Sequence, residues 1–267
     1  MSSDEKIQFI DRSPEAVGVH DKNAWLALFA SDGEVNDPVG SRPHRGEAAI
    51  SRFYDTFIAP NNIRFEVEHD VVSGDTVVRD LDIHTELSTG LKIAVPTHIR
   101  YELKHDNGEL KIQRLSAHWE LSRMVMQTLS MGLIGIVTYA KLSVHMLRCQ
   151  GLGGVLGFMR GFLGVGAAGR RRAEAFLTAA ARNDSRTARM LLEASDAVQL
   201  LEGGHQDIGD VVSQVQGLRW SKLTVAGRHV TATCHVGDRR GVAWLEFGQG
   251  ARQGRRIQRG RFYLPDS

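Results

Sequence analysis

The sequence predicts an α+β fold in which three helices pack on a curved antiparallel sheet. Helical signals come first: Ser13 is a typical N-cap with Pro14 behind it, and residues 25–29 and 49–54 carry apolar side chains at helical spacing. Four β-like runs separated by turn residues follow. Helices followed by a block of strands are typical of α+β proteins, because alternating helices and strands would instead predict a parallel sheet.

The predicted strands cover residues 63–72, 76–87, 91–103 and 110–121. If Ser88-Thr89-Gly90 is a three-residue hairpin loop, the side chains of the second and third strands separate into two faces. The largely apolar face carries Val77, Arg79, Leu81, Ile83, Ile93, Val95, Thr97, Ile99 and Tyr101. The polar face carries Asp80, Asp82, His84, Pro96, His98 and Arg100. This separation favours the longer loop, and we expect the polar face to line a ligand cavity.

Composition limits the classes of function. The chain has 267 residues, 42% of them hydrophobic, which is enough for one large domain or two ordinary ones. Its 33 basic and 31 acidic residues give a net charge of +2, and the basic C-terminal strands have few aromatic residues, so nucleic-acid binding is not expected. No spacing of His or Cys predicts a metal site, and we expect no cofactor.

Two further features bear on the compartment. Cys149 and Cys234 are far apart in different compositional regions, which favours free thiols over a disulfide framework. The first residues show no basic region leading into an apolar one, as a secretory leader would. We therefore expect a cytoplasmic protein.

The most informative stretch is the turn Asp37-Pro38-Val39-Gly40, which follows an apolar helix-like run and a short strand. The helix predicted over residues 45–54 closes over this corner, so we expect Asp37 at the rim or floor of a pocket. A carboxylate held against apolar side chains can act as a general base toward a C–H group beside a carbonyl. On residue type alone, Asp before Pro is also a common structural turn residue that caps its own backbone.

Without a gap from Ala27 to Tyr54, the sequence resembles ketosteroid isomerases and SnoaL-like proteins of the nuclear transport factor 2-like superfamily. The resemblance rests on the Asp-Pro-Val-Gly turn at 37–40 and on a Gly-x-Ala-Ala-Ile-x-x-Phe-Tyr helix at 46–54. Weaker similarity continues to about Leu121. The resemblance implies a cone-shaped sheet covered by three helices.

The resemblance also implies an activity, that of a steroid delta-isomerase-like intramolecular isomerase. Such an enzyme moves a double bond in a steroid or similar polycyclic ketone by abstracting and returning a proton through an enolate. Because this fold hosts several reactions and also non-enzymes, the alternative is a non-catalytic module that binds a small apolar lipid-like ligand or a protein partner.

Residue by residue, the resemblance implies that Asp37 is the general base and that His98 and Tyr54 donate hydrogen bonds to the enolate oxygen. The family's oxyanion tyrosine on the first helix has no counterpart, since Ser13 stands at its position, and its buried aspartate is replaced by His98. We expect a different oxyanion site from that of the family. The predicted substrate contacts are Phe29, Val39, Phe53, Asp82 and Trp119.

Alternatives exist for the residues of the polar face. His98 is equally well explained as a strand histidine bonded to Asp80 or Asp82. These two carboxylates also resemble part of the Asp-Arg-Asp set of limonene epoxide hydrolases, but Asp80 stands where that set has its arginine. We prefer the interpretation that the pair is simply solvated.

Beyond the first unit, residues 1–121, we predict an apolar helical connector, residues 122–170, and a degenerate second copy of the first unit, residues 171–267. The connector's apolar run is about half the length of a membrane span, so we expect a buried or domain-bridging segment. Residues 151–172 join an apolar block to Arg170-Arg171-Arg172 and predict peripheral membrane contact.

The second copy is predicted from two echoes: residues 192–196 resemble 28–32, and residues 256–264 resemble 111–121. It lacks the catalytic turn, because Leu-Leu-Glu-Gly-Gly at 200–204 stands in its place. We therefore expect a structural partner for the first unit, in a pseudo-dimer within the chain or a homodimer.

Overall fold

The computed structural model describes residues 2–200, 206–248 and 256–265. These residues form four layers: helices, a six-stranded sheet, a five-stranded sheet and a second set of helices. The two sheets lie back to back, and each is covered on its outer face by its own helices. The fold is mixed α+β, as predicted.

The first unit contains three helices and six strands within the described residues. They are α1 (Ser3–Gly18), α2 (Lys22–Ala27), β1 (Phe29–Asn36), β2 (His44–Arg45), α3 (Glu47–Phe53, continued as a π-helical turn Tyr54–Ile58), β3 (Asn62–Ser73), β4 (Thr76–Glu86), β5 (Lys92–Asp106) and β6 (Glu109–His118). The sheet order is β2-β1-β6-β5-β4-β3, and only the β1–β6 pair among them is parallel.

The predicted N-cap at Ser13 is wrong, because helix α1 begins at Ser3 and its N-cap, Ser2, lies eleven residues earlier. Ser2 caps it: its Oγ accepts from Glu5 N at 3.2 Å, and the Glu5 carboxylate accepts from Ser2 N at 2.6 Å. This capping box satisfies two backbone donors at the helix end. Pro14 therefore lies inside the helix, where its apolar neighbours Ile10 and Val17 are buried.

The three-residue loop between β4 and β5 is confirmed. Leu87 N donates to Leu91 O at 2.9 Å, and Ile83 pairs with Val95 and Val77 with Tyr101. The apolar face of these strands packs beneath α1, α2 and α3. The expectation that the polar face lines the cavity is therefore wrong, because the helices bury the apolar face.

The second unit repeats this order of elements: α6 (Gly166–Ala181), α7 (Ser185–Leu191), β7 (Val198–Leu200), α8 (Ile208–Gln214), β8 (Arg219–Ala226), β9 (His229–Val236), β10 (Arg239–Phe247) and β11 (Ile257–Tyr263). Its sheet order is β7-β11-β10-β9-β8, with β7 parallel to β11 as β1 is to β6. The duplicated architecture is confirmed. Residues 201–204, where the missing turn was predicted, lie outside the described residues.

The polar face of the first sheet, rather than its apolar face, packs against the second sheet. Val78 and Val71 meet Val242, Trp244 and Tyr263 in a small apolar cluster between the sheets. The polar contacts between the sheets include an ionic network around the buried Asp80, described below. Packing of this polar face is possible because the second sheet supplies hydrogen-bond and ion-pair partners.

The connector consists of α4 (Leu121–Leu129) and α5 (Leu133–Met159), followed by a short 3-10 turn. Helix α5 is kinked at Gly151, which has φ 66° and ψ −178°. The expected burial of this segment is wrong for its outer face, where many apolar side chains are exposed. The proposed boundaries at 121/122 and 170/171 stay predictions; α6, whose residues belong to the second core, begins at Gly166.

To cross a membrane, a helix in the described ranges would have to be both long enough and apolar enough. No helix meets both requirements alone, and one pair, Leu133–Phe162 with Gly166–Ala181, meets them jointly across a 44° bend.

Candidate active site

A cavity lies between the apolar face of the first sheet and the helices that cover it. The cavity has a volume of about 160 Å³. Its walls are mainly aromatic and aliphatic, and α4 and α5 close it with Met124, Leu142 and Phe158. Polar side chains in the lining are few: Ser13, Asp37, Asn61, Thr85, Tyr101 and Trp119. A concave apolar site with a few convergent polar groups is typical of small-ligand sites.

Asp37 is the only carboxylate that lines this cavity among the described residues. Its Oδ1 accepts a hydrogen bond from Trp119 Nε1 at 2.6 Å. Burial among apolar side chains raises the pKa of Asp37 to about 6, although the Trp119 hydrogen bond acts in the opposite direction. The side chain is therefore an ionised base near neutral pH with an unusually high proton affinity.

The turn that carries Asp37 is held by both units and by the connector. Val39 N donates to Ala117 O of β6 at 2.9 Å, and Ser41 Oγ donates to Pro38 O at 2.6 Å. Gly40 has φ 101°, and a Cβ added to it would lie 2.6 Å from Gly227 Cα in the β8–β9 turn. The backbone of the second unit is therefore in direct contact with the backbone of the Asp37 turn.

Because of this close approach, Gly227→Ala should displace the turn and weaken both ligand binding and any turnover that depends on Asp37. A Cβ at Gly227 would lie 2.6 Å from Gly40 Cα, a distance that backbone atoms cannot tolerate. The measurement is ligand affinity together with thermal stability.

Gly237→Ala in the next hairpin is the matched control. Gly237 has φ 58°, close to the 56° of Gly227, so both alanines carry the same backbone strain, but no atom lies within 4 Å of its added Cβ. If the two variants bind the ligand equally well, the contact between the units does not position the turn.

Tyr101 is a candidate hydrogen-bond donor that we did not assign from the sequence. It lines the cavity together with Ser13, and burial raises its pKa to about 12. Ser13 Oγ accepts from Trp25 Nε1 at 3.1 Å, which fixes the serine. A phenol that stays protonated can donate to a ligand oxygen. The signal was present in the strand alternation, since Tyr101 belongs to the face that the helices cover.

His98 does not lie in the cavity, and its predicted role as an oxyanion donor is corrected. Its side chain is fully buried between the sheets, where Nδ1 and Nε2 hydrogen-bond Thr231 and Thr233 at 2.8 and 3.1 Å. Burial lowers the pKa of His98 to about 4, so it is neutral. Strand alternation explains the error, because His98 and the cavity residue Ile99 point to opposite faces.

Asp82 and Tyr54 also lie away from the cavity lining. Asp82 is on the polar face and pairs with Lys222 Nζ at 2.8 Å, so its predicted substrate contact is corrected. Tyr54 begins the π-helical turn and packs in the core, with its ring centroid 5.5 Å from that of Trp25. Its hydroxyl has no hydrogen-bond partner among the described residues, so the predicted donor role has no geometric support.

The structure brings together Asp37, Phe53 and Trp119 of the predicted site residues. Phe29 and Val39 are buried near the cavity without lining it: Phe29 packs edge-on against Trp25 at 4.7 Å, and Val39 belongs to the turn. Their predicted substrate contacts are therefore corrected, because both side chains are used in the support of the site. Within the described ranges no group of His, Cys, Asp or Glu could hold a metal ion.

A buried ionic network joins the two sheets behind the cavity. Asp80 accepts from Arg240 Nη2 at 2.7 Å, from Lys222 Nζ at 3.0 Å and from Thr233 Oγ1 at 2.9 Å. Burial opposes ionisation of Asp80, but its partners hold its pKa below the usual range. Asp80 is thus a link between the units, and the alternative in which it is solvated or activates water is not supported by these contacts.

Comparison with known proteins identifies the first unit. Residues 10–113 match the family model of the SnoaL-like domain. The unit therefore belongs to the SnoaL-like family, within the nuclear transport factor 2-like superfamily.

Solved structures are similar over the same part of the chain. A Δ5-3-ketosteroid isomerase from Mycobacterium sp. is 30% identical, with 43% of this chain and 93% of that chain covered and a TM-score of 0.40. A Mycobacterium tuberculosis protein in complex with estradiol-17β-hemisuccinate is 27% identical over 44% and 95% of the chains, with a TM-score of 0.40. An M. tuberculosis LEH-like epoxide hydrolase is 16% identical over 50% and 95%, with a TM-score of 0.41.

Proposed function

We propose that the first unit is a ketosteroid isomerase-like enzyme that moves a double bond in a steroid or similar polycyclic ketone. The proposal rests on Asp37, which is the only carboxylate that lines the apolar cavity in the described structure. Burial in this cavity raises the pKa of Asp37 to about 6. The substrate class follows from the aromatic and aliphatic walls and from the resemblance of the Asp37 turn to that family. No cofactor is required by this chemistry.

In the proposed reaction, the Asp37 carboxylate takes a proton from the carbon beside the substrate carbonyl. The electron pair of that C–H bond moves into the ring system and onto the carbonyl oxygen, which gives a dienolate when the substrate double bond is β,γ to the carbonyl. Asp37 then returns the proton to a different carbon, so the double bond moves and nothing is oxidised, reduced or hydrolysed. Trp119 holds the carboxylate in place through its 2.6 Å hydrogen bond.

Tyr101 takes the place of the oxyanion donor in this proposal. Its raised pKa keeps the O–H group protonated, and its side chain lines the cavity. One such donor in a water-excluded site contributes about 3 kcal/mol to transition-state stabilisation. Tyr101→Phe should therefore lower turnover by about 10²-fold while the fold is retained.

The pH dependence of turnover follows from the Asp37 pKa. Only the ionised carboxylate can accept a proton, so the rate should rise with pH through about 6 and reach a plateau above it. The measurement is the absorbance of the conjugated ketone formed from a β,γ-unsaturated ketosteroid, recorded across the pH range. A rate that is flat through this range would contradict Asp37 as the base.

Steroid binding without turnover is the second candidate function. It is favoured by two observations: the cavity lining in the described residues contains neither His98 nor Tyr54, and Ser13 occupies the position of the family's oxyanion tyrosine. Saturable steroid binding, measured by quenching of the cavity residue Trp119, together with no conjugated product, would establish this alternative.

A further inference from the structure

The outer face of the connector is an apolar surface for which the described residues provide no cover. On α5 before the kink, Leu133, Ile136, Val137, Val144 and Leu147 are exposed. After the kink, Leu152, Leu156, Met159 and Leu163 follow one another at helical spacing, and Leu152 and Leu156 are 73% and 68% exposed. An exposed apolar surface of this extent marks a contact with another apolar phase.

The inner face of the same helix is fully engaged with the first unit. His145 Nε2 hydrogen-bonds Asp55 O at 3.0 Å, and Gln150 Nε2 donates to Thr56 Oγ1 at 3.0 Å. Phe158 stacks on Phe57 at 5.3 Å and lines the cavity. The helix is therefore seated on the first unit, so its exposed side chains are not the result of an undocked segment.

All the charged side chains of this segment are basic. Residues 121–173 contain seven Lys and Arg residues and no Asp or Glu, whereas the rest of the chain carries the other 26 of the 33 basic residues and all 31 acidic ones. Arg123, Lys141, Arg148, Arg160 and Arg171 are exposed. The connector is thus a basic and apolar surface on a remainder that is net acidic.

We propose that the outer face of α4, α5 and the turn that follows, residues 121–163, docks on an anionic lipid bilayer surface. Apolar side chains would enter the interfacial region while the long basic side chains reach the headgroups. A second copy of this chain fits less well, because a two-fold interface would bring the same basic residues face to face without any acidic residue to pair with them. The connector then lies between the bilayer and the apolar cavity.

The experiment is co-sedimentation of the full chain with vesicles of phosphatidylcholine alone or with about one-third phosphatidylglycerol. We expect binding to the anionic vesicles, weakened at high salt. The double variant Leu152→Glu with Leu156→Glu should lower the partition coefficient about tenfold or more. The double variant Lys141→Gln with Arg148→Gln should lower it about tenfold on anionic vesicles only.

The matched control is Val19→Glu with Met190→Glu, which changes two apolar residues, one directly after α1 and one in α7, that are 76% and 61% exposed. It should bind vesicles like the wild type, and the thermal melts of all variants should be alike. The proposal is overturned if the protein does not bind anionic vesicles, if the control weakens binding as much as the connector variants, or if the protein is a dimer that the Leu152/Leu156 variant converts to monomer. The result does not depend on steroid turnover.

Discussion

Asp37→Asn should lower turnover of a β,γ-unsaturated ketosteroid by about 10²–10⁴-fold while steroid affinity changes little. Asparagine keeps the shape of the side chain and an oxygen that can accept from Trp119 Nε1, but it cannot take a proton. The measurement is kcat and KM with the dissociation constant of a product steroid. Asp82→Asn, on the opposite face of the sheet, is the control and should keep full turnover.

Asp37→Asn should also be more stable than the wild type above pH 6. Because burial raises the Asp37 pKa from 3.8 to about 6, the folded state binds this proton more tightly than the unfolded state. The resulting stabilisation is complete below pH 3.8 and is lost as pH rises through about 6, which costs up to about 3 kcal/mol of unfolding free energy at pH 8. Equal stability of the two proteins at pH 8 would mean that the carboxylate is well solvated.

Asp80→Asn should lower the free energy of unfolding by about 1–3 kcal/mol. The variant removes the buried carboxylate that Lys222 and Arg240 share at the contact between the sheets, and leaves them the more exposed carboxylate of Glu68. The loss is costly because Asp80 is buried and accepts from Lys222, Arg240 and Thr233, and the neutral amide binds these two cations less strongly. The measurement is urea unfolding at neutral pH.

Asp82→Asn is again the matched control. It removes another carboxylate that contacts Lys222, at 2.8 Å, but the side chain of Asp82 is 34% exposed. Its loss should cost less than about 1 kcal/mol. Two variants with the same small effect would show that water reaches the contact between the sheets and screens the Asp80 network.

The order of the elements and the register of the sheet could be predicted because they depend on short-range signals. Turn residues mark the four strands, and the separation of polar from apolar residues selects the loop at 88–90. The turn at Asp37 was recognisable from its residues, and the structure places Asp37 at the cavity with Phe53 and Trp119.

The choice of face could not be predicted, because alternation shows which side chains lie together but not what covers them. A polar face is typical of solvent or of a ligand site, and here it meets polar residues of a second sheet about 130 positions later, as in the contacts of His98 with Thr231 and Thr233. What local patterns do not contain is the identity of the residues, far away in the sequence, that cover each face. The start of α1 was missed for a local reason, since a capping box at Ser2 competes with the equally regular signal at Ser13.

Because both units belong to one chain, dilution of the protein cannot separate the second unit from the site. A sheet-to-sheet contact between separate subunits dissociates as protein concentration falls, whereas a tethered contact has a fixed effective concentration. The Asp37 turn, which rests on Gly227, therefore keeps its support at any concentration. The second unit also no longer has to serve as a site itself: its interior is filled by residues such as Phe176, Ile208 and Phe262, and its sequence is free to diverge wherever the β8–β9 turn and the inner sheet face are preserved.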